Sequence, residues 1–321
     1  MTAVCGVSRR RFLGVAAHVL SACAPACRAA NTRVDLDAVR IRMMTYPDNH
    51  QRIAEPLGRA LLQTLPGVQL ELRPLTADRL RVLHDGEADI AFAYADQPYL
   101  AYVGNNEVAS SPFDNLRGIA LLQPVPIYLL VRAGLRADSV RDVRGMRVNV
   151  GPAGGSMFSL AHRIFDAYGL QNAVHEQYLQ TGAAAEQLVT RQLDAMFASV
   201  TAPASFSSAL RDGATLIPLD GAEIDTVRRQ FPFVRRVPNT FGPVTHGGHT
   251  STLGLDSLIV CRNELADHLV YGFTKAFFIA LPELAAMEPS LSDVDVEQAA
   301  ATTIPLHAGA LLYYREQELS R

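Results

Sequence analysis

The sequence predicts an α/β protein of two lobes, each a sheet of mostly parallel strands with helices on both faces. Three observations carry that expectation. Apolar runs of strand length alternate with stretches of helical periodicity from Val39 onward. Several runs, Ile90–Ala95 among them, are apolar at consecutive positions, which suits strands covered on both faces. The segment Arg147–Leu170 reads strand, glycine loop, helix, the unit from which parallel sheets are built.

The elements follow in order. Val39–Thr45 is a strand, and Ala54–Leu65 a helix that Pro66-Gly67 ends. Val68, Leu70 and Leu72 alternate as a second strand. Thr76 is placed to cap a helix running through Leu83, and Gly86 precedes the strand Ile90–Ala95. Val125–Arg132 is long enough to leave the first lobe. After Val140–Gly145 the strand at Val148 and Val150 is broken by Gly151-Pro152-Ala153-Gly154-Gly155. Ser156 then stands at the N-cap of a helix whose Ala161, Ile164, Phe165 and Tyr168 share a face, with Gly169 as its stop. Glu186–Leu193 and Ser205–Leu210 alternate with Ala195–Ser199 and Thr215–Leu219. Thr252–Val260 is the return strand. A helix from Glu264, with Leu265, Leu269, Phe273 and Phe277 at four-residue spacing, packs back on the first lobe. Lobe one is thus residues 38–130 plus 248–321 and lobe two residues 131–247, joined by strands, with no internal repeat or low-complexity linker evident.

Composition narrows the function. A net charge of −3 supplies no basic field for nucleic acid. Beyond the N-terminus no run reads as apolar for the roughly 20 residues a bilayer crossing needs. Lys275 is the only lysine among 29 basic residues, a bias so uniform that it marks no site. Cys261 is the only cysteine of the body, since Cys5, Cys23 and Cys27 lie in or beside the N-terminal segment, so no disulfide framework is expected.

That N-terminal segment, residues 1–30, reads as an export leader. Ser8-Arg9-Arg10-Arg11-Phe12-Leu13 resembles a twin-arginine signal, followed by a short apolar run to Leu20. Two processing outcomes stay open. Leu20-Ser21-Ala22-Cys23 resembles a lipoprotein box that would lipidate Cys23, whereas Ala24-Pro25-Ala26 offers an ordinary cleavage site. Either outcome places the mature protein in the periplasm, free or membrane-anchored.

The glycine loop before Ser156 is the leading candidate site. A helix start offers unpaired N–H groups and partial positive charge, and glycines let a ligand approach the backbone closely. The same glycines also suit an ordinary strand-to-helix turn. Gly155-Ser156-Met157 lacks the second glycine of a nucleophile elbow, and the loop lacks the lysine of a phosphate-binding P-loop. His246-Gly247-Gly248-His249 has no third ligand at metal-site spacing. No nucleophile–base–orienter set is evident, so no enzyme, cofactor or metal is expected.

Several segments carry a family resemblance: Leu80–Ile90, Asp96–Tyr102, Arg147–Leu170, Leu193–Phe197, Val270–Phe277 and the ending Ile304–Ala310 with Tyr313–Glu316. In order and spacing, from about Arg40 to Leu319, they resemble the TAXI family, solute receptors of tripartite ATP-independent periplasmic (TRAP) transporters. The resemblance implies a type II periplasmic-binding-protein fold, two lobes joined by hinge strands. It also implies capture of a small organic-acid or amino-acid solute and delivery to a TRAP membrane subunit. A sensing role, in which the liganded receptor meets a membrane signalling partner, is the alternative. His307, in the family-like ending, is expected to be a structural hydrogen-bonder.

The departures bear on the solute. Thr45 is followed by Tyr46-Pro47-Asp48-Asn49 where the family has a glycine-rich turn and a tyrosine pair. Arg73-Pro74-Leu75-Thr76 replaces a Thr-Gly-Gly-Ser run, and Gln123-Pro124-Val125-Pro126 lacks the usual acid. The expected ligand-binding set is therefore Thr45, Tyr46, Asn49, Arg73, Thr76 and Tyr94 on lobe one, with Gly154, Gly155, Ser156 and Met157 on lobe two. Arg73 is the expected bidentate partner of a solute carboxylate.

Overall fold

The computed structural model of the chain describes residues 39–45, 50–76, 78–105, 111–199, 203–239, 251–287, 291–292 and 294–320. The expected leader with Cys23, the positions Tyr46 and Asn49, and the pair His246 and His249 lie outside the described residues. The strands are β1 (Arg40–Thr45), β2 (Gln69–Pro74), β3 (Ile90–Tyr94), β4 (Leu116–Val131), β5 (Arg147–Asn149), β6 (His175–Gln177), β7 (Ala195–Ser199), β8 (Thr215–Ile217), β9 (Val234–Pro238) and β10 (Ser251–Arg262). They form one sheet in the order β2-β1-β3-β10-β4-β7-β5-β6, with β8 against β4 and β9 against β10.

The sheet is mixed, not the mostly parallel one expected. β1 runs parallel to β2 and β3, and β5 parallel to β6 and β7. The centre is antiparallel: β10 pairs with β3, β4 and β9 in that sense, and β4 with β7 and β8. The reason is that β4 and β10 each traverse both halves of the sheet in opposite directions. Leu116–Leu122 lies beside the first half, and Ile127–Val131 pairs with β7. Between them the β4–β10 register slips from Leu255 to Ser257, placing Asp256 at a bulge opposite Gln123 and Pro124. Proline has no N–H to give a ladder, so the irregular spot is where Pro124 costs least. A side chain at Gly254 would meet Val237 at 2.8 Å and Pro124 at 2.9 Å, so the crossing is also tightly packed.

Helices cover both faces. They are α1 (His50–Thr64), α2 (Arg79–His84), α3 (Asp96–Val103), α4 (Ser156–Ala167), α5 (Thr181–Val189), α6 (Pro203–Arg211), α7 (Ala222–Gln230), α8 (Asp267–Met287), α9 (Val296–Ala299) and α10 (Ala308–Leu319). One apolar cluster holds Met44, Leu83 and Ala93 of the first half, Val148, Ile164 and Phe197 of the second, and Val125 and Leu255 of the shared strands. A second joins Leu57, Phe273 and Tyr313 of α1, α8 and α10 to Met43 and Ile259. A third joins Leu188 and Ala209 of α5 and α6 to Met196 and Leu216. Leu129 and Leu130 of β4 fall in different clusters, as the two-residue period of a strand requires. Contrary to the sequence expectation, α8 is long and apolar enough to cross a membrane. Its Val270, Phe273, Phe277, Ala280 and Leu284 are buried within the protein.

The two halves repeat one another, which the sequence reading did not detect. Strand order β2-β1-β3 recurs as β6-β5-β7. Asp89, just before β3, accepts from the backbone N and Nε of Arg42 at 2.9 Å and from its Nη2 at 2.8 Å, while Arg262 Nε adds a bond at 3.1 Å. Asp194, just before β7, accepts from the backbone N, Nε and Nη2 of Arg147 at 2.9–3.0 Å, with Arg132 Nε at 3.1 Å. Arg42 also reaches the carbonyl of Gly86, and Arg147 that of Arg191. Both carbonyl residues have positive φ, 76° and 63°. Arg147, Arg191 and Asp194 each stand 105 positions after their counterparts Arg42, Gly86 and Asp89, as Ser199 does after Tyr94.

The family-like ending has a packing explanation. His307 is buried and caps α10, its Nδ1 accepting from the Gly309 N–H at 3.1 Å, so it is a structural residue as expected. Burial holds its pKa below the usual value, keeping the ring neutral so that Nδ1 can accept. A Cβ at Gly309 would lie 2.2 Å from the Asp267 carbonyl oxygen and 2.8 Å from the Tyr271 nitrogen, both backbone atoms of α8. Gly309→Ala must therefore push α10 off α8. We expect a loss of about 2–3 kcal/mol, read as a lowered urea midpoint at unchanged slope. A midpoint equal to wild type would show that the helices yield freely.

Candidate functional site

Where the strand ends of the two halves meet, buried polar side chains replace the apolar core. Tyr94 ends β3 and Ser199 ends β7, and the Tyr94 hydroxyl donates to Ser199 Oγ at 3.2 Å. Asp96 opens α3 and Ser156 opens α4, and Ser156 Oγ donates to Asp96 Oδ1 at 2.7 Å. All four are buried, Asp96 at 0% exposure. Thr45, at the end of β1, is equally enclosed. Asn149, at the end of β5, accepts from the Leu179 N–H at 2.7 Å and so pins the segment after β6.

Asp96 is the unusual member. An acid at the first turn of a helix gains from the free N–H groups and the dipole there. Burial nevertheless dominates and pushes its carboxyl above the ordinary Asp range, against the hydrogen bond from Ser156 and the pull of the Gln97 side chain and backbone. Among the described residues Oδ2 has no hydrogen-bond partner of good geometry, nor does the neighbouring Gln97 Nε2. Asp96 is thus an enclosed, half-satisfied carboxyl, set between the two halves, whose burial favours its neutral form.

The glycine loop has the expected strand–loop–helix form with a different cap. Gly155 occupies the N-cap position in extended conformation, and Ser156 is the first helical residue. Its hydroxyl serves Asp96 instead of its own helix end, correcting the expectation that it caps α4. Gly151 and Gly154 have φ of 82° and 75°, a region that disfavours side chains, so the loop needs glycine for its path alone. A Cβ on Gly151 would also come within 3.1 Å of Met157, which packs against the large apolar cluster.

On the first half two expectations change. Thr76 is exposed and does not cap α2, whose N-cap position is Asp78, itself without a side-chain cap bond. The helix has only six residues and begins too late for Thr76 to reach its end. Arg73 is engaged by its own neighbourhood, Nε to Glu71 at 2.8 Å and Nη1 to the Glu87 carbonyl at 2.8 Å. Glu71 and Arg73 are two apart on one strand and so share a face.

Sequence reasoning missed Asp96, Gln97 and Ser199 as site members. The signal was an acid directly following an apolar strand, where a solvated acid would ordinarily stand. Among the described residues, no three His, Cys, Asp or Glu side chains are placed to hold a metal ion. Ser156 is bonded to a carboxyl and not to an imidazole, which gives it no general base of the hydrolase kind.

Comparisons with known proteins agree on the fold. A model of the NMT1-like family matches residues 76–317. The periplasmic binding protein BugD is similar at a TM-score of 0.55 and 12% identity, covering 88% of this chain and 94% of that one. MatC from Rhodopseudomonas palustris, solved with bound malate, is similar at 0.55 and 18%, covering 88% and 97%. The aliphatic sulphonate binding protein SsuA from Escherichia coli is similar at 0.50 and 16%, covering 87% and 82%. The fold is thus that of the periplasmic binding proteins, as expected.

Proposed function

This chain belongs to the NMT1-like family, and from that premise we propose that it is an extracytoplasmic solute-binding receptor. Its lobes, residues 38–130 with 248–321 and residues 131–247, close on a small solute. The observation that carries the reading is the pairing of Tyr94 with Ser199 and of Asp96 with Ser156 across the two halves. Hydrogen bonds between protein groups exchange for bonds to water or solute at a net of only about 0.5–1.5 kcal/mol each. A boundary sealed by polar pairs can therefore open and re-form, where an apolar one would stay shut. β4 and β10, slipped in register at Asp256, are the hinge.

The solute is a small carboxylate. Its oxygens take the hydrogen bond that Ser156 otherwise gives to Asp96, supported by the N–H groups at the start of α4. Asp96 shares the site in its neutral form and donates to the solute, the role its raised pKa favours. Delivery is to a TRAP-type membrane subunit, following the TAXI resemblance. MatC, solved with bound malate, supports a carried organic acid.

The test is a thermal-shift screen of organic acids, amino acids and sulfonates on the purified protein. A solute at 100 times its Kd should stabilise the protein by about 2.7 kcal/mol, a shift of several degrees. Mg²⁺ and nucleotides should give none. An unmoved melting point across all the libraries would remove the receptor reading.

A further inference from the structure

A groove of about 540 Å³ lies beside the hinge bulge, lined by residues of both halves. Its floor is Phe231 and Phe233, ring centroids 5.2 Å apart, and Tyr99 of α3 stands 5.4 Å from Phe233. Tyr99 is 40% exposed, so its ring is available from solvent. Arg163 of α4 lays its guanidinium over Phe231 at 4.4 Å from the ring centroid. Its buried Nε has no hydrogen-bond partner among the described residues. Arg235 is held at the other side by Asp256, both of whose oxygens accept from its Nε at 2.7 and 2.8 Å. Among the described residues Asp256 is the one carboxylate lining the groove and is matched by Arg235, while Arg163 has no ion-pair partner.

We propose that this groove is a second binding site, for a small planar organic anion: an aromatic ring carrying a carboxylate or sulfonate. The volume falls within the range of small-molecule sites. Tyr99, Phe231 and Phe233 line the groove as a packed aromatic cluster against which one more aromatic ring can stack or meet edge to face. Arg163 is the planar donor that an oxyanion matches with two bonds, and its stacking on Phe231 presents the guanidinium in a fixed plane. Neither Ser156 nor Tyr94 lines the groove, so its occupancy is tested separately from the receptor reading.

The probe is naphthalene-1-sulfonate, titrated by calorimetry and fluorescence into the full protein. Wild type should bind one equivalent saturably, and more tightly than it binds neutral 1-naphthalenemethanol. Arg163→Gln should weaken the sulfonate at least tenfold while leaving the alcohol within twofold. Tyr99→Ser, at a half-exposed position that tolerates truncation, should weaken both and serves if the Arg163 variant fails to fold. Arg81→Gln, which removes an unrelated stacked arginine over Phe113, should bind as wild type. Equal affinity for sulfonate and alcohol, or wild-type affinity in both groove variants, would overturn the proposal.

Discussion

Ser156→Asp should lower the melting temperature at pH 7 by about ten degrees, the largest single effect expected from the candidate site. The new carboxylate faces Asp96, whose Oδ1 lies 2.7 Å from the Ser156 hydroxyl and which is fully buried. Two enclosed carboxylates at that separation cannot both stay ionised, and an uncompensated buried charge costs about 3–5 kcal/mol. Ser156→Ala removes only a donor and should cost about 1–3 kcal/mol. Asp96→Asn supplies an amide that can donate to the introduced carboxylate, so the double variant should recover most of the loss. The pH dependence follows from the raised pKa of Asp96. The folded protein holds that proton more tightly than the unfolded chain, so Asp96 contributes less stability as pH rises from about 3.8 through its folded value. Asp96→Asn should flatten that decline, and Ser156→Asp should steepen it. A Ser156→Asp protein melting within two degrees of wild type at pH 7, folded by circular dichroism, would refute the pairing.

Asp194→Ala should cost about 3 kcal/mol by urea denaturation, because three donors of Arg147 and one of Arg132 lose their acceptor together. Arg147 above all holds the Asp194 carboxyl well below the usual carboxylate range, outweighing the opposing effect of burial. A depressed pKa gives stability that is present above about pH 4 and lost as pH falls toward the folded value. Wild type should therefore weaken below pH 4 more steeply than the variant. Asp89→Ala should do the same to the first half, where burial raises the carboxyl but Arg42 and Arg262 together win. Identical acid limbs for wild type and both variants would mean that the two arginine clusters contribute nothing through ionisation.

Much of the scaffold is legible in the sequence for a simple reason. Strands such as Ile90–Tyr94 and Ala195–Ser199 are buried on both faces, and their apolar runs announce this without alternation. Strand direction is not so written. Thr252–Val260 reads as a return strand, yet nothing local in it says that it runs antiparallel to both β3 and β4, since direction is set by the path of the chain between them. The internal repeat escaped for a related reason: the residues that keep it, Arg42 with Asp89 and Arg147 with Asp194, are each separated by 47 positions. Asp96 was missed because composition marks an acid as a surface group. Only its surroundings, assembled from both halves, make it an enclosed one.

The strands shared by the two halves set the order in which the protein can be completed during synthesis. β10 is the immediate partner of both β3 and β4, yet it is made long after them; Thr252, whose hydroxyl donates to the Ile127 carbonyl, follows it by 125 positions. A ribosome adding about 5–20 residues per second leaves β3 and β4 without that partner for roughly ten seconds. Through that interval two apolar strands present open edges, the condition under which chains associate wrongly. The second half, drawn from one continuous stretch, can condense meanwhile. The first is assembled last, around a strand that reaches it only after its neighbour has been made.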